Sequence, residues 1–89
     1  MKPDFENLKD LLEKNNTFPI VYCFKIIVPD NLKKIALIES LFADDAVIER
    51  RSSSKGNYIS ISAKQVVLSS IEVIEIYKKA AAVEGAILL

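Results

Sequence analysis

Eighty-nine residues, 51% of them hydrophobic and only two of them glycine, suffice for one small domain and argue against disorder. Twelve basic residues balance twelve acidic ones, so the chain as a whole lacks the surplus of Lys and Arg that a phosphate-backbone partner usually requires. With no histidine and one cysteine, an internal disulfide and a zinc site built from His and Cys are excluded, and the commonest general base is absent.

The opening Met1-Lys2-Pro3-Asp4-Phe5 is interrupted by acid and is followed by no apolar core of a signal peptide. No run approaches the ~18 apolar residues of a membrane-crossing helix, so a cytoplasmic protein with no membrane partner is expected. Pro3 to Lys14 reads as a short helix: Pro3 suits a first turn, Asp4 and Glu6 its positive end and Lys14 its negative end. Phe5, Leu8, Leu11 and Leu12 form its apolar stripe. At about 12 residues it is marginal alone in water and must dock.

Ile20 to Val28 (IVYCFKIIV) is the strongest strand signal, filled with β-branched and aromatic residues and carrying one charge, Lys25. So apolar a run predicts a central strand, with Cys23 a buried structural thiol. Pro29-Asp30-Asn31 stops the strand and supplies caps for a helix through about Phe42, its stripe being Leu32, Ile35, Ile38, Leu41 and Phe42. Asp44-Asp45 reads as a turn, two solvated acids rather than a catalytic pair.

Ala46 to Ser54 and Tyr58 to about Val66 form a hairpin bent at Ser-Lys-Gly-Asn, with Gly56 and Asn57 expected to take positive φ. In the second of these strands Ile59, Ile61 and Ala63 alternate with Tyr58, Ser60, Ser62 and Lys64, so one face meets helices and the other meets water or a partner. Ser69 to about Glu84 is the next helix: Ser69 and Glu72 match a capping box, and Leu68 is placed to staple onto Val73. Gly85 ends it, and Ala86 to Leu89 makes a last, short edge strand.

The order helix, β, α, β, β, α, β predicts an α+β fold. It is a ferredoxin-like βαββαβ two-layer sandwich, a four-stranded antiparallel sheet in the order 4-1-3-2 with an extra N-terminal helix. Residues 1–17 are read as that helical extension and 18–89 as the domain.

An RNA-recognition motif shares this plan and carries K/R-G-F/Y-G/A-F-V-x-F/Y on its third strand. Lys55 and Gly56 match, but Asn57, Ile59 and Ser62 stand where stacking aromatics belong, and Tyr58 is one place out of register. With a neutral chain, nucleic acid is not the expected partner. The open face combines Val21, Cys23, Lys25 and Ile27 with Tyr58, Ser60, Ser62 and Lys64, a mixed surface that must be covered. Either the N-terminal helix covers it through Phe5, Leu8 and Leu12, or a second copy does. Arg50, Arg51 and Lys55 are expected to form a basic rim at one end of the hairpin. No catalytic residue, cofactor-binding residue or metal ligand is expected.

The segments Phe18-Pro19, Phe24-Lys25-Ile26, Ser53-Ser54-Lys55-Gly56-Asn57-Tyr58 and Ile76-Tyr77 together resemble the YbeD-like family of small uncharacterised bacterial proteins over roughly residues 18 to 89. That resemblance implies a fold similar to ACT domains, the metabolite-sensing modules of amino-acid enzymes, and a suggested link to lipoate metabolism. ACT domains bind amino acids near a glycine-bearing loop after the first strand; here that loop, Pro29-Asp30-Asn31, has no glycine. The expectation is therefore a non-enzymatic regulatory or adaptor domain, without cofactor, acting on an unknown protein partner or on a second copy in a homodimer. Its surface would comprise Lys25, Tyr58, Ser60, Ser62 and Lys64, rimmed by Arg50, Arg51 and Lys55. The alternative is an ACT-like sensor of an amino acid or a lipoate-related metabolite, with an RNA-binding sheet behind it.

Overall fold

A computed structural model describes residues 4–89; the expected start of the first helix at Pro3 lies outside them. Helix α1 (Phe5–Asn15) begins where Asp4 Oδ1 accepts the Asn7 N–H at 3.0 Å, satisfying one of the orphan donors of a first turn. It ends at Asn16, whose backbone and side-chain N–H groups both donate to the Leu12 carbonyl. Leu12 is buried and Phe5 and Leu8 pack against the core, whereas Leu11 falls off the stripe and stays exposed.

Strand β1 (Ile20–Pro29) turns Phe24, Ile26 and Val28 inward. Helix α2 (Leu32–Glu39) is capped by Asn31 Oδ1, which accepts the Lys34 N–H at 3.0 Å. The helix stops three residues before Phe42, which nevertheless reaches the core from the following turn. Of the expected stripe, Ile35 and Ile38 are buried but Leu32, at the very start, is 84% exposed.

Strands β2 (Val47–Ser52) and β3 (Tyr58–Val67) make the hairpin, and β3 alternates as read, with Ile59, Ile61, Ala63, Gln65 and Val67 buried. Gly56 takes φ of +72° at the bend; Asn57 does not share it, since no residue other than glycine has positive φ among the described residues. Gln65 is a polar residue in the core, and its Oε1 accepts the Ala43 N–H at 2.9 Å, fixing the turn before β2.

Helix α3 (Ser70–Ala81) is capped by Ser69 Oγ on the Glu72 N–H. Glu72 reaches back to the Leu68 N–H rather than to that of Ser69, so the box is offset by one residue. Leu68 stays largely exposed and forms no staple over the wholly buried Val73. The chain then turns at Gly85, φ +85°, where a Cβ would lie 2.8 Å from Pro29 Cγ, and enters β4 (Ile87–Leu88).

The sheet order is β2-β3-β1-β4, the ferredoxin-like order read from its other edge. Helices α2 and α3 cover one face and Phe24 is the hub beneath them, its ring within 5.3 Å of those of Tyr22, Phe42 and Tyr77. Helix α1 joins this same layer beside α3, tied to it by the Ser70 hydroxyl donating to Glu13 at 2.6 Å. That bond, with Lys9 3.4 Å away, holds the Glu13 carboxyl below its ordinary pKa. The sequence left open whether this helix covers the opposite face of the sheet. It does not, because Leu12 is part of the core that α3 closes.

Candidate functional site

The face turned away from the helices is therefore bare, and the strand register fixes its layout. Cross-strand partners share a face, so Arg51, Ser60, Ile27 and Ile87 form one row and Glu49, Ser62 and Lys25 the next. Val47, Lys64 and Cys23 follow, then Val66 and Val21, with Tyr58 opposite Pro29 at the other end. Large apolar side chains stand in the open at both ends and on both edge strands: Val21, Val47, Tyr58, Val66 and Ile87 are 44–69% exposed.

Between these patches lies a polar depression of about 280 Å³ lined by Lys25, Glu49, Arg50, Arg51, Ser60 and Ser62. Among the described residues, none of Lys25, Glu49, Arg51 and Lys64 is in an ion pair. Two cations and two hydroxyls thus converge on one concave spot without internal partners, beside a single carboxylate.

Of the eight residues expected to form the surface, the structure brings Lys25, Arg51, Tyr58, Ser60, Ser62 and Lys64 together on this face. Lys55 sits at the exposed hairpin tip. Arg50 departs from them. Strand alternation turns its side chain to the helix side, where Nε and Nη2 grip Glu39 at 2.5 and 2.7 Å, although the residue borders the depression. That bidentate bond holds the Glu39 carboxyl below its ordinary pKa and raises Arg50 further. Adjacent arginines in a strand cannot form one rim.

One further expectation is corrected. Cys23 is exposed, because the alternation of β1 sends it to the uncovered face despite its apolar neighbours. Tyr58 lies on the open face as its alternation with Ile59 predicts, because β3 begins at Tyr58 and buries Ile59. It is the face's only aromatic among the described residues: Phe5, Phe18, Tyr22, Phe24, Phe42 and Tyr77 are in or against the core.

Among the described residues, hollows also lie away from this face. One between α2 and α3, about 510 Å³, has Leu37, Leu41 and Val83 with Lys33, Lys34 and Lys79 in its lining. Another, about 260 Å³, lies near Phe5, Leu8 and Leu88, where the Tyr22 and Tyr77 hydroxyls approach to 3.3 Å. Burial, then the Tyr22 hydroxyl, pushes the Tyr77 phenol far above the ordinary tyrosine range. Sequence reading missed this pair and the Glu39–Arg50 clamp, both of which join distant segments. Among the described residues, no three His, Cys, Asp or Glu gather to hold a metal, and no helix is long and apolar enough to cross a membrane.

The model of a protein family of unknown function, DUF493, matches residues 13–88. The chain belongs to that family. It is the group of small bacterial proteins that the hairpin and its flanking segments resemble. A UPF0250 protein of Shewanella halifaxensis (strain HAW-EB4) is 35% identical over 72 residues, which cover 76% of this chain and 82% of the relative. No solved structure matches. Nothing in these comparisons points to catalysis, and the family's function is not known.

Proposed function

We propose that this DUF493 chain is a non-catalytic regulatory or adaptor domain that docks a protein on the open face of its sheet. The observation that carries this is the uncovered face itself, with five large apolar side chains left in solvent although three helices were available to cover them. Fully burying a valine is worth about 1.5–3 kcal/mol, so Val21 and Val66, side by side at one end, are a standing inducement to association.

The test compares wild type with Val21→Asp plus Val66→Asp, two exposed positions whose change leaves the core intact. Tagged forms of both are purified from the native cell. The variant should melt within about 2 °C of wild type, as surface substitutions usually do, and should lose whatever protein wild type retains. Identical partners on both forms would end the proposal.

The depression of Lys25, Arg51, Ser60 and Ser62 favours a second reading, an ACT-like sensor of a small carboxylate, an amino acid or a lipoate-related metabolite among them. A sensor predicts a melting temperature that rises with the metabolite, since ligands stabilise by mass action. A flat response across amino acids and lipoate would remove it.

A further inference from the structure

The neutrality of the chain conceals a segregated charge. The open face and the hairpin tip carry Lys25, Arg51, Lys55 and Lys64 against the single acid Glu49. The remainder of the chain holds eight of the twelve basic residues and eleven of the twelve acidic ones. A face so charged also limits what can lie on it.

From this we infer that the partner docked on the open face is an acidic, apolar-containing protein segment, with a carboxylate seated in the depression between Lys25 and Arg51. The inference rests on the docking role proposed above and names its chemistry. A carboxylate there meets an ammonium, a guanidinium and the hydroxyls of Ser60 and Ser62, four donor groups in no ion pair or side-chain hydrogen bond among the described residues, against the one carboxylate of Glu49 in the same lining. Side chains flanking that carboxylate reach Val21 and Val66 on one side and Ile27, Ile87 and Tyr58 on the other. An alternating acidic and apolar strand or helix face satisfies both.

A second copy fits worse. Face-to-face pairing would bring together two faces that each hold Lys25, Arg51 and Lys64 against one Glu49, six cations with two carboxylates, and desolvated like charges are expensive. A polynucleotide also fits worse, because Tyr58 is the face's single aromatic among the described residues, with no second ring to stack a base. Surfaces of this composition, positive at the centre and aliphatic at the flanks, suit protein rather than phosphate.

The test is amide chemical-shift mapping of the whole chain with three probes at low salt. These are an alternating glutamate–valine hexapeptide, the same peptide with lysine for glutamate, and hexauridylate. The glutamate peptide should shift the amides of Lys25, Arg51, Ser60 and Ser62. Raising salt from about 20 to about 200 mM should weaken it severalfold, since the pairing is exposed and screened. Lys25→Glu plus Arg51→Glu should weaken it at least about tenfold, with an unchanged melting temperature as the check on folding. Equal binding of the lysine peptide to the same face would overturn the acidic preference and leave the docking face standing. Tighter binding of hexauridylate, or shifts of these amides with protein concentration alone, would replace the partner with RNA or with a second copy. No shift of any face residue by any probe would sink the docking reading as well.

Discussion

The two faces of the sheet are made from alternate residues of the same strands, β1 and β3, and behave as different materials. Val28 is wholly buried and Val21, seven residues earlier in the same strand, is 69% exposed. Hydrophobicity did not decide between them; parity did. Odd-numbered positions of β1 face the side no helix covers, and even-numbered positions face α2 and α3. The difference teaches that this domain's stability lives on one side of a single layer, which leaves the other side free to be selected for binding.

The strongest way to break that comparison is to truncate neighbours of opposite parity. Phe24→Ala removes the ring that Tyr22, Phe42 and Tyr77 surround, and should cost about 3–5 kcal/mol. In a domain of this size that is a large share of the total, and the urea midpoint should collapse. Val21→Ala, three residues away, should move it by less than about 0.5 kcal/mol. A comparable loss at Val21 would mean the open face is not bare in solution.

A second comparison asks what fixes the edge of the covered face. Both glycines have positive φ, but only Gly85 is crowded, and it leads directly into β4 beside Pro29. Alanine in a left-handed conformation costs about 1–2 kcal/mol. Gly56→Ala should show about that cost, because nothing lies within 4 Å of its would-be Cβ. Gly85→Ala should exceed it, because the Pro29 ring must also move. Hydrogen exchange should report the difference at Leu89, whose N–H donates to the Lys25 carbonyl. Equal losses at the two sites would show that the close approach of Gly85 to Pro29 is unimportant.

How much of this was legible in the sequence follows from the range of each interaction. The seven elements and the order of the strands were readable, because β1 and β3 carry strong strand patterns and Asn31 and Ser69 are local caps. The polar half of the open face was readable too, from the alternation of Ser60, Ser62 and Lys64. What was not readable depended on contacts between distant segments. Nothing near Phe5 says that its helix joins α3 rather than the bare face, and nothing near Arg50 announces Glu39, eleven residues away. The exposure of Cys23 was hidden by the apolar run around it, which reads as burial on both sides.

Arg50 and Arg51 offer the finest version of the two-face comparison, because they are consecutive. Arg50 grips Glu39 in α2, whereas Arg51 lies on the open face. Arg50→Ala should therefore lower the urea midpoint slightly, as for an exposed ion pair, and leave docking unchanged. Arg51→Ala should do the reverse. The Glu39 carboxyl has its pKa lowered chiefly by its hydrogen bond to Arg50. Its stabilising share is therefore present above its unfolded pKa of about 4.3 and is lost as pH falls through the lower folded value. Glu39→Gln should accordingly differ from wild type at pH 7, with the gap closing below about pH 4, in chemical denaturation run at both values. A gap that persists in acid would mean that packing of the Glu39 stem, and not its charge, anchors α2 to β2.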